Sequence, residues 1–222
     1  MIDRLIDGGP YYAETLMGRF PVEPWNASSN LIFLFLVILF AFKTKLNFKE
    51  HPFTVCALPV LFVGFIGGTM YHATRSHRVW LLLDFLPIAI LTLSSSVYFW
   101  KNITGKLLSG ILLGIAPVAI VRGVMSATTL PILIKISFGY TMLAVSVILP
   151  ALLVCRKFGW KNFKLLILAI SSFVIGIFFR YADTGFGEPL LPFGTHFIWH
   201  LAGGAATWAL MEFVVRFEKE RR

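Results

Sequence analysis

Residues 194–204 read GTHFIWHLAGG and open the last apolar run of the chain, about 195–215. Two imidazoles, His196 and His200, stand four residues apart at the head of a segment whose composition is that of a membrane helix. Six comparable runs precede it, at about 28–45, 53–72, 79–99, 105–122, 131–154 and 162–180. A bilayer-spanning helix needs about 20 mainly apolar residues. Backbone groups in lipid must be satisfied internally, which a helix does within one segment. The short alternating strands of a membrane barrel are absent. The expected fold is therefore all-α and integral to the membrane, with seven transmembrane helices in one domain over residues 1–222. Residues 1–27 are expected to form an outer N-terminal segment. Composition agrees: 57% of the 222 residues are hydrophobic, against about 45–50% in soluble domains.

The formal net charge of +9 suggests nucleic acid until its placement is considered. With seven spans the connectors alternate between two sides. One side holds Lys43, Lys45, Lys49, Lys101, Lys106, Arg156, Lys157, Lys161, Lys164, Arg216, Lys219, Arg221 and Arg222. The other holds only Arg4, Arg19, Arg75, Arg78, Arg122 and Arg180, and Lys135 falls inside the fifth run. The positive-inside rule puts the richer side in the cytoplasm, so the N-terminus is expected outside and the C-terminus inside. Basic charge here is topology, not a nucleic-acid surface. The first 20 residues carry five charges and no apolar centre, so the first span is expected to act as the insertion signal. Short loops without targeting signals point to a bacterial cytoplasmic membrane. Cys56 and Cys155 read as core residues, because their spacing fits neither a zinc knuckle nor a redox pair. Gly67-Gly68 and Gly203-Gly204 read as places where helices approach closely. Nothing in the sequence specifies an oligomeric state.

Ionisable groups in membrane helices are costly and tend to be functional. His72 closes the second run in GGTMYHATRSH, and Asp84 interrupts the third in VWLLLDFLP. Glu23 and Asn26 precede the first run in VEPWNASSN. Alternating traversal puts all of these, with His196 and His200, at one depth near the outer surface. Residues at i and i+4 share a helix face, so His196 and His200 can serve one metal ion, with His72 as a third ligand. Three protein ligands plus water are the pattern of catalytic zinc, and Asp84 stands at the right depth to take a proton from that water. The plainer reading is a set of helix–helix hydrogen bonds, which is the commoner fate of a lone intramembrane histidine. His77, between Arg75 and Arg78, reads as solvated, and His51 in a cytoplasmic connector reads as idle. Glu212 and Lys135 read as locally paired. The 22 phenylalanines read as lipid-facing packing.

The motifs VEPWNASSN, GGTMYHATRSHRVWLLLD and GTHFIWH, in that order, resemble those of the alkaline ceramidase family, within the CREST group of seven-helix membrane hydrolases. The resemblance covers about residues 12–210. It implies a zinc ion on His72, His196 and His200, with Asp84 as the acid–base aspartate. It also implies calcium held by a glutamate matching Glu23 and an acidic loop near Glu14, but the Trp-Cys-Glu pattern of that loop is not present here, which argues against calcium. Arg180 and Asp183, in RYADTGFGEP, resemble a charged pair before the last helix of bacterial relatives and are expected to be structural. The family places a serine four residues before its first histidine to assist the oxyanion. Gly68 stands there in this chain, with Thr69 beside it as the nearest hydroxyl.

These expectations converge on a zinc-dependent hydrolase cleaving an amide in a membrane lipid, with ceramide implied by resemblance alone. A noncatalytic seven-helix receptor or scaffold with structural zinc stays open, because the serine is missing. A proton- or ion-coupled transporter is the third class. The lack of repeated halves counts against it.

Overall fold

The computed structural model describes residues 6–186 and 190–221. Arg4 and Arg222 of the charge split, and residues 187–189 of the last outer loop, lie outside the described residues. Among the described residues eight helices follow one another: α1 (Pro24–Ser29), α2 (Leu31–Thr44), α3 (Pro52–Thr74), α4 (Arg78–Thr104), α5 (Leu107–Ser126), α6 (Ile132–Lys157), α7 (Phe163–Ala182) and α8 (His196–Glu220). Helices α1 and α2 together make one span, and the described residues contain seven spans long and apolar enough to cross a membrane. The protein is an integral, multi-pass membrane protein. Helix α8 packs against α7, α2 and α3, while α4 lies among α3, α5 and α6.

The first span begins earlier than its apolar run, because the short helix α1 at the end of the N-terminal segment leads into α2. Pro24 occupies the first turn of α1, where its missing N–H is no loss. The next donors are met from a distance: Glu14 accepts Trp25 N at 2.5 Å and Asn26 N at 2.9 Å. Two other helices start in the same way. Asp183 Oδ1 accepts Thr195 N (2.6 Å) and His196 N (3.0 Å) at the head of α8. Glu218, near the end of α8, accepts Phe53 N (2.8 Å) and the Thr54 hydroxyl (2.7 Å) at the head of α3. Helix N-termini leave backbone N–H groups without intrahelical partners. In a low-dielectric bundle those groups need acceptors, and a carboxylate also suits the positive end of the helix dipole. Here remote carboxylates take the place of local caps and tie distant segments together.

The apolar core sits in the half of the bundle away from the histidines. Leu36, Phe40, Leu58, Leu61 and Val215 form one cluster, and Phe99, Val154, Leu166, Phe213 and Phe217 belong to another. Phe35, Phe42, Phe62 and Phe178 point outward, where lipid would meet them. Two glycine positions set helix spacing. A Cβ at Gly67 would strike the Leu83 backbone of α4, and one at Gly204 would strike Ile32 of α2, whereas Gly203 has only ordinary contact with Phe33.

Several residues differ from their sequence reading. Cys56 is exposed on the outside of the bundle, and only Cys155 is in the core, because α3 turns Cys56 away from α2 and α4. His51 is not idle. It is 2% exposed, with Nδ1 3.1 Å from Glu218 Oε2, so it completes the α3 cap. Glu212 pairs locally with Arg216 and also with Lys43 of α2, 169 residues away, and Lys135 Nζ donates to the nearby Thr128 O at 2.6 Å. His77 is exposed, and its Nδ1 accepts Val79 N at 3.1 Å.

Candidate metal centre

His72 comes from the last turn of α3, and His196 and His200 from the first two turns of α8. Helix α3 ends at Arg75, whose φ of 48° is left-handed. That conformation costs an L-residue roughly 1–2 kcal/mol, and it persists here because the Arg75 side chain is fully engaged. Its Nε donates to Asp7 at 2.7 Å, its Nη1 to Glu23 Oε1 at 2.5 Å, and its Nη2 to Pro10 O at 3.0 Å. Arg75 also lies over the rings of Tyr71 and Tyr12. This locked turn carries His72 to the site.

The three imidazoles are all buried, and one nitrogen from each lies within 4.8 Å of the others. Their ring centroids are 4.8–5.3 Å apart. His72 Nδ1 donates to Glu23 Oε2 at 2.5 Å, which leaves Nε2 with its lone pair inward. That Nε2 is buried without a hydrogen-bond partner among the described residues. His200 Nδ1 lies 3.1 Å from Asn26 O and 2.7 Å from Ser29 Oγ. A carbonyl only accepts, so Nδ1 carries the proton and Nε2 again has the lone pair. His196 Nδ1 has Arg180 Nη1 at 3.5 Å as its polar neighbour. Tyr12 stacks on the His196 ring at 4.0 Å and caps the cluster from the N-terminal segment.

This donor set fits a zinc ion. Histidine ligands of zinc usually give their second ring nitrogen to a carboxylate or carbonyl, which fixes tautomer and orientation. Glu23 and Asn26 do this for His72 and His200. Two nitrogens bound to one tetrahedral zinc stand about 3.4 Å apart, so closing from spacings of up to 4.8 Å would draw the rings together by up to about 1.4 Å.

Calcium does not fit. Both Glu14 oxygens are taken by backbone N–H groups. Glu23 Oε1 accepts from Arg75 and from Thr15 Oγ1 (2.6 Å), while Oε2 faces His72. The buried Arg75 guanidinium already supplies the cation beside Glu23. Burial pushes the Glu14 carboxyl above its ordinary range despite its two backbone bonds. Burial would do the same to Glu23, but the His72 hydrogen bond and the Arg75 charge hold it below the ordinary value.

Asp84, on α4, is half-buried and makes no hydrogen bond or ion pair among the described residues. It lies within electrostatic range of His72 and Arg180. A Cβ at Gly68 would lie 2.6 Å from both Asp84 Oδ1 and Asn30 Oδ1, so a serine there would displace one of them. Thr69 Oγ1 is buried without a partner among the described residues. Asp84 and Asn30 stand at the head of an apolar cavity of about 130 Å³. Its α4 lining runs from Asp84 to Phe99, about 22 Å of helix at about 1.5 Å per residue.

Arg180 and Asp183 do not pair. Asp183 Oδ2 accepts Ala13 N at 3.0 Å and Oδ1 caps α8, so the aspartate is structural. Arg180 is turned toward His196. Sequence reasoning missed Asp7, Tyr12, Ser29, Asn30 and Arg75. Asn30 had a signal, since it follows Asn26 by four residues and shares its helix face. Arg75, three residues after His72, had the same one. No protein-family model and no curated protein matches this chain, so the ceramidase-like reading rests on the residues themselves.

Proposed function

We propose that this protein is a zinc-dependent intramembrane hydrolase that cleaves an amide bond in a membrane lipid, with a ceramide-like sphingolipid as the substrate class. The observation that carries the reading is the junction of two features. Three buried histidines, two with their Nε2 lone pairs fixed inward, adjoin a half-buried carboxylate at the head of a long apolar cavity. When bound, zinc supplies Lewis-acid polarisation of a carbonyl and a water acidic near neutral pH. Glu23 and Asn26 orient the imidazoles. The carboxylate of Asp84, free of other partners, accepts a proton from water and returns it to the leaving amine nitrogen. Thr69 Oγ1, three residues before His72 and without a partner among the described residues, is the candidate donor to the carbonyl oxygen. The acyl chain lies along the cavity, and Tyr12 limits water at the outer face. The charge split supports an outward-facing N-terminus, which places the site in the outer leaflet.

Gly68 favours a second reading, a noncatalytic receptor or scaffold, because the family's serine is absent and a serine there would push the Asp84 and Asn30 side chains aside. One experiment separates the two. Purified protein is incubated with a lipid-amide panel that includes ceramides, with and without a chelator, and products are read by mass spectrometry. The hydrolase reading expects fatty acid release that the chelator abolishes. It expects Asp84→Asn to lower turnover about 100- to 10,000-fold while the variant stays folded. Intact lipids throughout, from zinc-loaded wild-type protein, would favour the receptor.

A further inference from the structure

Arg180 raises a question that the metal centre alone does not answer. Its side chain sits inside the bundle and the residue is only 9% exposed. A guanidinium is always protonated and presents five donors. A buried charge is ordinarily paired, because leaving it alone costs several kcal/mol. Arg75, the other buried arginine of this end, obeys the rule with Asp7 and Glu23. Arg180 does not: among the described residues no carboxylate is within ion-pair distance of it. Asp183, its neighbour in sequence, is committed to three backbone N–H groups. Asp84 acts on Arg180 only through space.

What surrounds Arg180 is aromatic and neutral. The guanidinium lies 5.3 Å from the Tyr140 ring centroid and 5.8 Å from that of Trp199. Tyr12 is the strongest of its electrostatic neighbours, and its Nη1 reaches His196 Nδ1 at 3.5 Å, a long contact. Cation–π contacts offset part of the desolvation cost and leave donors of the fork without an anion. The fork thus lies beside His196 and within the field of Asp84, the residue at the head of the apolar cavity.

We propose that Arg180, with Tyr12 beside it, is the carboxylate-binding subsite of the candidate site, and that its ligand is the head of a fatty acid whose chain follows the apolar cavity. This inference rests on the hydrolase reading for its biological sense. In amide hydrolysis the water oxygen joins the acyl carbon, the carbon–nitrogen bond breaks, and the nitrogen takes up a proton. The acyl half then leaves as a carboxylate, a charge the substrate did not carry. A fixed guanidinium recognises that new charge with paired N–H donors. The same contact makes the acid a product inhibitor.

The test is binding, not turnover, so it can fail or succeed apart from the hydrolase reading. Detergent-purified, zinc-loaded protein is titrated with palmitic acid and, as the uncharged match, hexadecanol, following thermal unfolding or intrinsic fluorescence. The proposal expects the acid to bind about ten- to a hundredfold more tightly than the alcohol, the worth of a charge-assisted hydrogen bond. Arg180→Met should erase that preference, bringing the acid to the affinity of the alcohol, while Arg180→Lys should keep part of it. Equal affinity for acid and alcohol in the wild-type protein overturns the proposal, and this comparison needs no variant to fold. A preference that survives in Arg180→Met but disappears with a chelator would assign the carboxylate to the metal and overturn it equally. Acid preference through Arg180 in a protein that cleaves no lipid would leave the subsite standing and sink the hydrolase.

Discussion

Removing the Asp183 carboxylate should loosen the fold and the candidate centre together. Its two oxygens hold three backbone donors: Ala13 N at 3.0 Å, Thr195 N at 2.6 Å and His196 N at 3.0 Å. Asp183 is 2% exposed, so water cannot readily replace it. Losing an N-cap costs about 1–2 kcal/mol, and each buried donor left unmet costs about 1–3 kcal/mol. Because the donors share one acceptor group, their costs do not simply add, and about 3–5 kcal/mol is expected for Asp183→Ala. For a chain of this size each kcal/mol moves the midpoint by about 2–4 °C, so unfolding should shift down by on the order of 10 °C. Asp183→Asn keeps one carbonyl oxygen for Thr195 and His196 and loses chiefly the Ala13 bond, so its loss should be about 1–2 kcal/mol. The assay is thermal unfolding in detergent by scanning fluorimetry, with metal content measured on the same samples. His196 N is one of the three donors, so Asp183→Ala should also bind zinc more weakly. An Asp183→Ala midpoint within about 2 °C of wild type would refute the capping argument. An Asn variant as damaged as the Ala variant would show that charge, and not hydrogen bonding, is the source.

Glu23→Gln should reduce zinc affinity about 10- to 100-fold, the usual cost of losing the outer partner of a histidine ligand; competition with a chromophoric chelator checks it, and unchanged affinity would remove Glu23 from the centre. Gly68→Ser, which restores the family's residue, should harm and not help. Its Cβ would meet Asp84 and Asn30 at 2.6 Å, and overpacking of this kind costs about 1–3 kcal/mol; a variant as stable as wild type would show that the helices have room to move apart. Reporter fusions before Met1 and after Arg222 should read external and cytoplasmic respectively, and the reverse would move the site to the inner leaflet.

The spans were legible because each is a long apolar run, and lipid permits such a run little other than helix. The convergence of His72, His196 and His200 was legible for a related reason: alternating traversal assigns depth, and the i, i+4 spacing assigns a face. Partners set by remote folding were not legible. Arg75 sits between His72 and Arg78 in what reads as a solvated loop, and its burial depends on Asp7, 68 residues away. The helix caps escaped for the same reason, since Glu14, Asp183 and Glu218 each lie at least 11 residues from a donor they satisfy. The early start of α1 followed from one of those caps. His51 looked idle because its acceptor, Glu218, is 167 residues distant. The mismatch at Arg180 is of a different kind. The resemblance suggested Asp183 as its mate, and the backbone at the head of α8 has a stronger claim on that carboxylate.

The central claim is that His72, His196 and His200 form one metal centre, and elemental analysis tests it most directly. Protein purified in mild detergent without chelator should carry about one zinc per chain, as three protein ligands define one site. His72→Ala, His196→Ala and His200→Ala should each lose most of it while remaining in the membrane fraction. Wild-type protein that stays metal-free after incubation with zinc and gentle washing, or a triple alanine variant that retains zinc at the wild-type level, would contradict the account.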